Sequence, residues 1–90
     1  MTYRLNPNYF YCVDLRHIQF IERVNECQLA LDYPMAAVFD LILKQVPEAA
    51  LVRMMAKIAL VTESHARRII HDTIDVLVKN DILIPTQQHG

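Results

Sequence analysis

The spacing of hydrophobic residues changes period partway along this 90-residue chain. Two runs near the N-terminus, Tyr9–Leu15 and His17–Val24, are rich in aromatic and β-branched residues, and the second alternates apolar with polar side chains. This alternation is typical of a strand that buries one face. A turn at residues 25 and 26 would return Cys27–Leu31 as a third strand, with its odd-numbered residues facing inward. We therefore predict three short antiparallel strands.

A helical period begins directly after the third strand. Asp32 is predicted to cap a first helix that has Pro34 in its first turn, where a missing N–H does no harm. Apolar residues then follow an i, i+3, i+4, i+7 stripe over 35–46. Pro47 is predicted to end this helix and to open a second one. The second helix is apolar nearly all round, so we expect it to contact neighbours on more than one side.

The third predicted helix runs from Glu63 to about Asn80, with Thr62 as its cap. The segment Ile82–Pro85 is a candidate for a short return toward the sheet. Three strands followed by three helices, the last two tightly joined, predict an α+β, winged helix-turn-helix-like fold. We predict a single domain over residues 1–90, with its core at about 9–84 and a C-terminal tail at 85–90.

Composition narrows the classes of partner. Hydrophobic residues make up 53% of the chain, which contains one glycine and carries a net charge of −1. A chain with so small a net charge has no overall electrostatic field that would attract nucleic acid or an anionic membrane. With no secretory signal and no apolar run of ~18 residues, the protein is expected to be cytoplasmic, without a membrane partner.

No site chemistry typical of an enzyme is visible. Cys12 and Cys27 lack zinc-site spacing and are predicted to be small buried hydrophobes in strands. The four histidines are scattered, and there is no phosphate loop, nucleophile elbow or recognisable carboxylate pair. We therefore predict no catalysis, no metal and no cofactor.

The third helix has more apolar surface than one core contact requires. Its apolar residues spread over roughly 200°, about twice the usual stripe. The surplus flank places Ile74 and Val78 beside Arg67 and His71, so it would line a groove with a polar rim. The alternative is that a small domain wraps this helix on two sides.

Several apolar spacings match one family. Leu31-Asp32 stands where that family has a Leu-Asn entering its first helix, and the run 38–41 matches a following Ile-Leu-x-Leu. Ile70, Ile74 and Leu77 match the last helix, and an apolar pair at 82–83 closes the pattern. Over roughly residues 9 to 84 the chain resembles the PqqD-like peptide chaperones, also called RiPP recognition elements.

The resemblance implies a module that captures the leader segment of a ribosomally made precursor peptide and presents it to a modifying enzyme, such as a radical enzyme or a cyclase. In such proteins the leader adds as an extra strand beside the third strand, in the cleft formed with the third helix. A three-stranded sheet suits this role because its edge has unpaired N–H and C=O groups. The candidate peptide-binding residues are Gln28, Leu29, Ala30, Leu31, Arg67, Ile70, His71, Ile74 and Val78.

Two other functions stay open. A winged helix often reads DNA, and His65, Arg67, Arg68 and His71 lie on the predicted recognition helix. Acidic residues share that helix, however, and the slightly acidic chain argues against phosphate binding. The same strand edge would also serve a dimerisation module, which would make the protein a homodimer.

Overall fold

A computed structural model describes residues 2–14, 17–24 and 28–86. The predicted turn at 25–26, Cys27 and the last four residues of the predicted tail lie outside the described residues. Five strands and three helices follow one another along the described chain: β1 (Thr2–Leu5), β2 (Tyr9–Asp14), β3 (His17–Glu22), β4 (Gln28–Asp32), α1 (Met35–Leu43), α2 (Glu48–Ala59), α3 (Glu63–Lys79) and β5 (Leu83–Thr86).

The three-stranded antiparallel sheet and the three helices confirm the predicted α+β fold class. The strand order is β2-β3-β4, with β3 in the centre. One face of this sheet is buried, as Ile18, Phe20 and Leu31 are each less than 5% exposed. Within the described residues, β2 and β4 each pair with β3 alone, so both are edge strands of this sheet.

Helix α1 covers the buried face of the sheet through an aromatic cluster. The ring of Phe39 lies edge-on to Phe20, with centroids 4.7 Å apart, and edge-on to Tyr11 at 5.3 Å. Edge-to-face pairs of this kind add about 0.5–1.5 kcal/mol each to the free energy of area burial. The cluster therefore fixes α1 over the centre of the sheet.

A second, two-stranded sheet joins the two ends of the described chain and does not follow from the hydrophobic periodicity. Strand β1 pairs antiparallel with β5, from Thr2 opposite Thr86 to Leu5 opposite Leu83. The backbone N–H of Asn6 donates to the carbonyl of Ile82 at 2.8 Å. Residues 2–5, which come before the predicted core of residues 9–84, therefore form a strand of the fold. β5 includes the first two residues of the predicted tail.

The start of α1 differs from the prediction. Asp32 is the last residue of β4, and its Oδ1 lies 2.7 Å from Nδ1 of His17 on β3. The carboxylate is therefore engaged across the sheet, and the predicted cap at Asp32 is wrong: α1 begins at Met35 without a side-chain cap. The helix also ends earlier than predicted, at Leu43, so Val46 lies outside it.

Two strand residues do not lie where they were predicted. Cys12 is exposed, because the register pairs it with Gln19 on the face opposite Phe20. The alternation over His17–Val24 predicts Val24 on the same face as Ile18 and Phe20, but β3 ends at Glu22 and Val24 is 78% exposed. Both predictions of burial are therefore wrong.

The last two helices are joined as predicted. Pro47 precedes α2, and the hydroxyl of Thr62 accepts the backbone N–H of His65 at 3.1 Å, which confirms the predicted cap of α3. Helix α2 buries one face against α1 and α3 but leaves Met54 and Ile58 exposed. It therefore contacts two neighbouring helices, as expected, while one side stays open.

Candidate functional site

The first candidate region is the outer edge of β4. Gln28 and Ala30 are exposed, Leu29 is half-buried, and Leu31 is only 3% exposed and belongs to the core. The side chain of Gln28 is held by a bond that Nε2 of Gln19 donates to its Oε1 at 2.8 Å. Leu31 can therefore offer only its backbone to a ligand. The edge itself presents the N–H and C=O groups of alternate residues to any added strand.

The second candidate region is one flank of α3. Arg67 and His71 are exposed, Ile74 and Val78 are half-buried, and Ile70 is 1% exposed. Next to this flank, α3 buries a row of residues that includes Ile70. The row consists of Ala66, Ile70, Thr73 and Leu77. The predicted division between a buried centre and a partly open flank of α3 is therefore present.

Three of the α3 candidates line one cavity of about 730 Å³, a volume typical of ligand pockets. Its apolar lining comes from side chains on three helices, among them Ile42, Leu51, Ile70 and Ile74. Thr2 and Tyr3 of β1 form another part of the wall, together with the connection between α1 and α2. A large aliphatic or aromatic side chain would find an apolar environment here.

Two of the exposed residues that line this cavity are acidic, Glu48 and Asp75, and His71 is exposed in the same lining. Nε2 of His71 is 3.5 Å from Oε1 of Glu48, and both side chains are more than half exposed. Two carboxylates beside one imidazole favour a ligand that carries hydrogen-bond donors or a positive charge next to its apolar group.

The two candidate regions belong to elements with different main packing partners. β4 packs against β3 and α1, whereas α3 packs mainly against α2, α1 and β5. The cavity that contains Ile70, His71 and Ile74 is bounded by β1 and not by β4, while Arg67 and Val78 lie on the same helix outside its lining. Sequence reasoning missed the β1 wall, because four residues at the N-terminus show no periodicity long enough to identify a strand.

The described residues offer little for other chemistries. No three His, Cys, Asp or Glu side chains among them are grouped so as to hold a metal ion. In the same part of the chain, no helix combines the length and the apolar character needed to cross a membrane.

Comparisons with known proteins give matches in structure only. No family model matches the chain, and no curated protein matches its sequence. One similar solved structure is TbiB1 in complex with the TbiA(beta) leader peptide, with a TM-score of 0.80 and 11% identity over 98% of this chain and 100% of that one. Another is lasso peptide synthetase B1 complexed with the leader peptide, with a TM-score of 0.85 and 16% identity over 94% of this chain and 100% of that one. The chain therefore adopts the fold of these two leader-bound proteins.

Proposed function

We propose that this chain is a peptide-binding module that captures the leader segment of a ribosomally synthesised precursor peptide by strand addition to β4. The observation that carries the proposal is the outer edge of β4, which no other described strand covers, in a fold that two solved proteins share while holding leader peptides. An extended peptide is the ligand that satisfies a free strand edge.

The edge of β4 would supply affinity with little sequence preference. A five-residue strand directs the groups of two or three residues outward, which allows about four to six backbone hydrogen bonds. Each such bond contributes about 0.5–1.5 kcal/mol net, and ordering the peptide offsets part of the sum. Strand addition alone therefore favours weak binding to many extended peptides.

The cavity on α3 would supply specificity. Ile74, His71 and Asp75 line it, so it suits an apolar side chain that lies next to a basic or donor group. Because the cavity is bounded by β1 rather than β4, different parts of one peptide would use the two regions. Affinity and specificity would then be separable by mutation.

In this proposal the chain performs no chemistry on the peptide. It holds the leader in an extended form, so that a separate enzyme, such as a radical enzyme or a cyclase, can act on the rest of the precursor. The chain supplies binding and orientation, which raise the effective concentration of the precursor at that enzyme.

A titration with backbone-modified peptides tests the proposal. The probe is the fluorescein-labelled leader of a short precursor encoded in the same gene cluster, in three forms: unmodified, or N-methylated at odd or at even positions. Strand addition predicts that one N-methylated series loses binding while the other retains it, because only alternate N–H groups face β4. Equal binding by both series would exclude strand addition, and no binding by the unmodified leader would exclude the function.

A further inference from the structure

Four exposed apolar side chains on or beside the last two turns of α2 belong neither to the core nor to the candidate peptide-binding residues. They form a group that we call the α2 patch: Tyr33, Met54, Ile58 and Leu60, which are 40%, 39%, 43% and 89% exposed. Met54 and Ile58 are one turn apart on α2, and Leu60 is its C-cap. Grouped apolar side chains with a polar rim are a feature of protein interaction surfaces, whereas apolar residues scattered singly are not.

Leu60 has a backbone conformation that does not suit leucine. Its φ of 56° and ψ of 47° are left-handed, and its N–H donates to the carbonyl of Ala56 at the end of α2. Glycine or asparagine is the usual residue here, because a Cβ atom is unfavourable in this region. At 89% exposure Leu60 gains almost no burial in return. A partner that covers the side chain would account for leucine at this position.

The α2 patch is held next to the peptide-binding edge. Tyr33 directly follows Asp32, the last residue of β4. Its hydroxyl donates to the backbone carbonyl of Ile58 at 2.6 Å, which ties the end of β4 to the last turn of α2. A protein docked on this surface would therefore stand beside one end of a peptide added to β4.

A basic row borders the α2 patch. Arg53 and Lys57 are exposed and one turn apart on α2, adjacent to the helix face that presents Met54. Neither forms an ion pair within residues 2–14, 17–24 and 28–86. By charge complementarity the matching surface is apolar at its centre and has Asp or Glu at its border.

We propose that the α2 patch is the docking surface for the enzyme that modifies the bound precursor, and that this enzyme contributes an apolar surface bordered by carboxylates. The proposal rests on the proposed function. A second copy of this chain fits less well, because a two-fold interface places the same surface, basic row included, on both sides. Four side chains, three of them less than half exposed, cover less than the ~800 Å² per partner of a standard stable interface, so the patch suits a transient encounter.

Leu60→Gly is the sharpest test, because glycine is the favoured residue at a left-handed C-cap. We expect this variant to melt at or above the temperature of the native chain and to bind the labelled leader equally well. Its affinity for the purified peptide-modifying enzyme of the same gene cluster, measured by calorimetry, should fall about tenfold or more. Lys57→Glu should also weaken this binding. Val24→Ser removes an exposed apolar residue elsewhere and should leave it unchanged.

The alternatives give different results. Unchanged enzyme affinity in Leu60→Gly would overturn the proposal. Two other results would also overturn it. One is a dimer of the native chain that Leu60→Gly does not form; the other is binding of the native chain, but not of Leu60→Gly, to vesicles of phosphatidylserine and phosphatidylcholine. Failure of the native chain to bind the leader would instead overturn the proposed function, since the enzyme titration is measured without peptide.

Discussion

The substitution Ile74→Lys tests whether this flank of α3 lines a binding cavity or belongs to the core. Ile74 is half-buried and lines the cavity, whereas Leu77, three residues later on the same helix, is fully buried and does not line it. A lysine at 74 can follow the apolar wall with its stem and place its ammonium group in water near Asp75 and Glu48. A lysine at position 77 could not place its ammonium group in water, because Leu77 is fully buried.

The expected magnitudes differ enough to be measured. Truncating a fully buried leucine such as Leu77 costs about 2–5 kcal/mol, and a buried ammonium adds several more. A chain of this length has about 5–13 kcal/mol of stability, so Leu77→Lys should unfold it. Ile74→Lys should stay within about 1 kcal/mol of the native chain. If a peptide side chain covers ~60 Å² of apolar wall, its loss costs about 1.5 kcal/mol, or roughly tenfold in affinity.

Urea unfolding and titration with the labelled leader measure both quantities on each variant. A folded Ile74→Lys with about tenfold weaker peptide binding would support the cavity as the specificity site. If Ile74→Lys unfolds as Leu77→Lys does, α3 is simply wrapped by its neighbours. If it folds and binds the leader normally, the peptide does not use the cavity.

Two further predictions concern the cap of α3 and the DNA-binding alternative. Thr62→Ala removes the acceptor of the His65 N–H and should cost about 1 kcal/mol, seen as a fall of roughly 4–8 °C in melting temperature; no change would mean that the cap bond contributes nothing. The native chain should not retard random duplex DNA in a gel shift at about 150 mM salt, because Arg67 and Arg68 share α3 with Asp72 and Asp75. Clear retardation there would favour a regulator over a peptide chaperone.

Local periodicity was sufficient to predict much of the fold. The strands β2 to β4 and the three helices follow from alternation, apolar stripes and prolines, and the Thr62 cap follows from its position before an acidic first turn. These signals act within a few residues. The burial of Leu77 and Ile70 at the centre of α3 also follows from the helical period alone.

Features that depend on distant contacts were not predictable in this way. β1 and β5 pair across nearly the whole chain. The sequence predicted a short return at Ile82–Pro85, which overlaps β5, but not its partner strand β1. The β1 wall of the cavity was missed with it. Asp32 looked like a cap, but its carboxylate contacts His17, fifteen residues away. The open face of α2 was missed because only the final packing decides which sides of an apolar helix are covered.

Amide hydrogen exchange along β2 and β4, the edge strands of the described three-stranded sheet, tests strand addition most directly. In the free protein, one alternate set of amides in Gln28–Asp32 should exchange fast, while the other set, bonded to β3, should be protected. β2, the other edge strand, provides an internal reference on the same molecule. We predict that saturating leader peptide slows exchange of the fast set in β4 and leaves β2 unchanged. Unchanged exchange in β4, or new protection in β2 instead, would contradict peptide binding at the edge of β4.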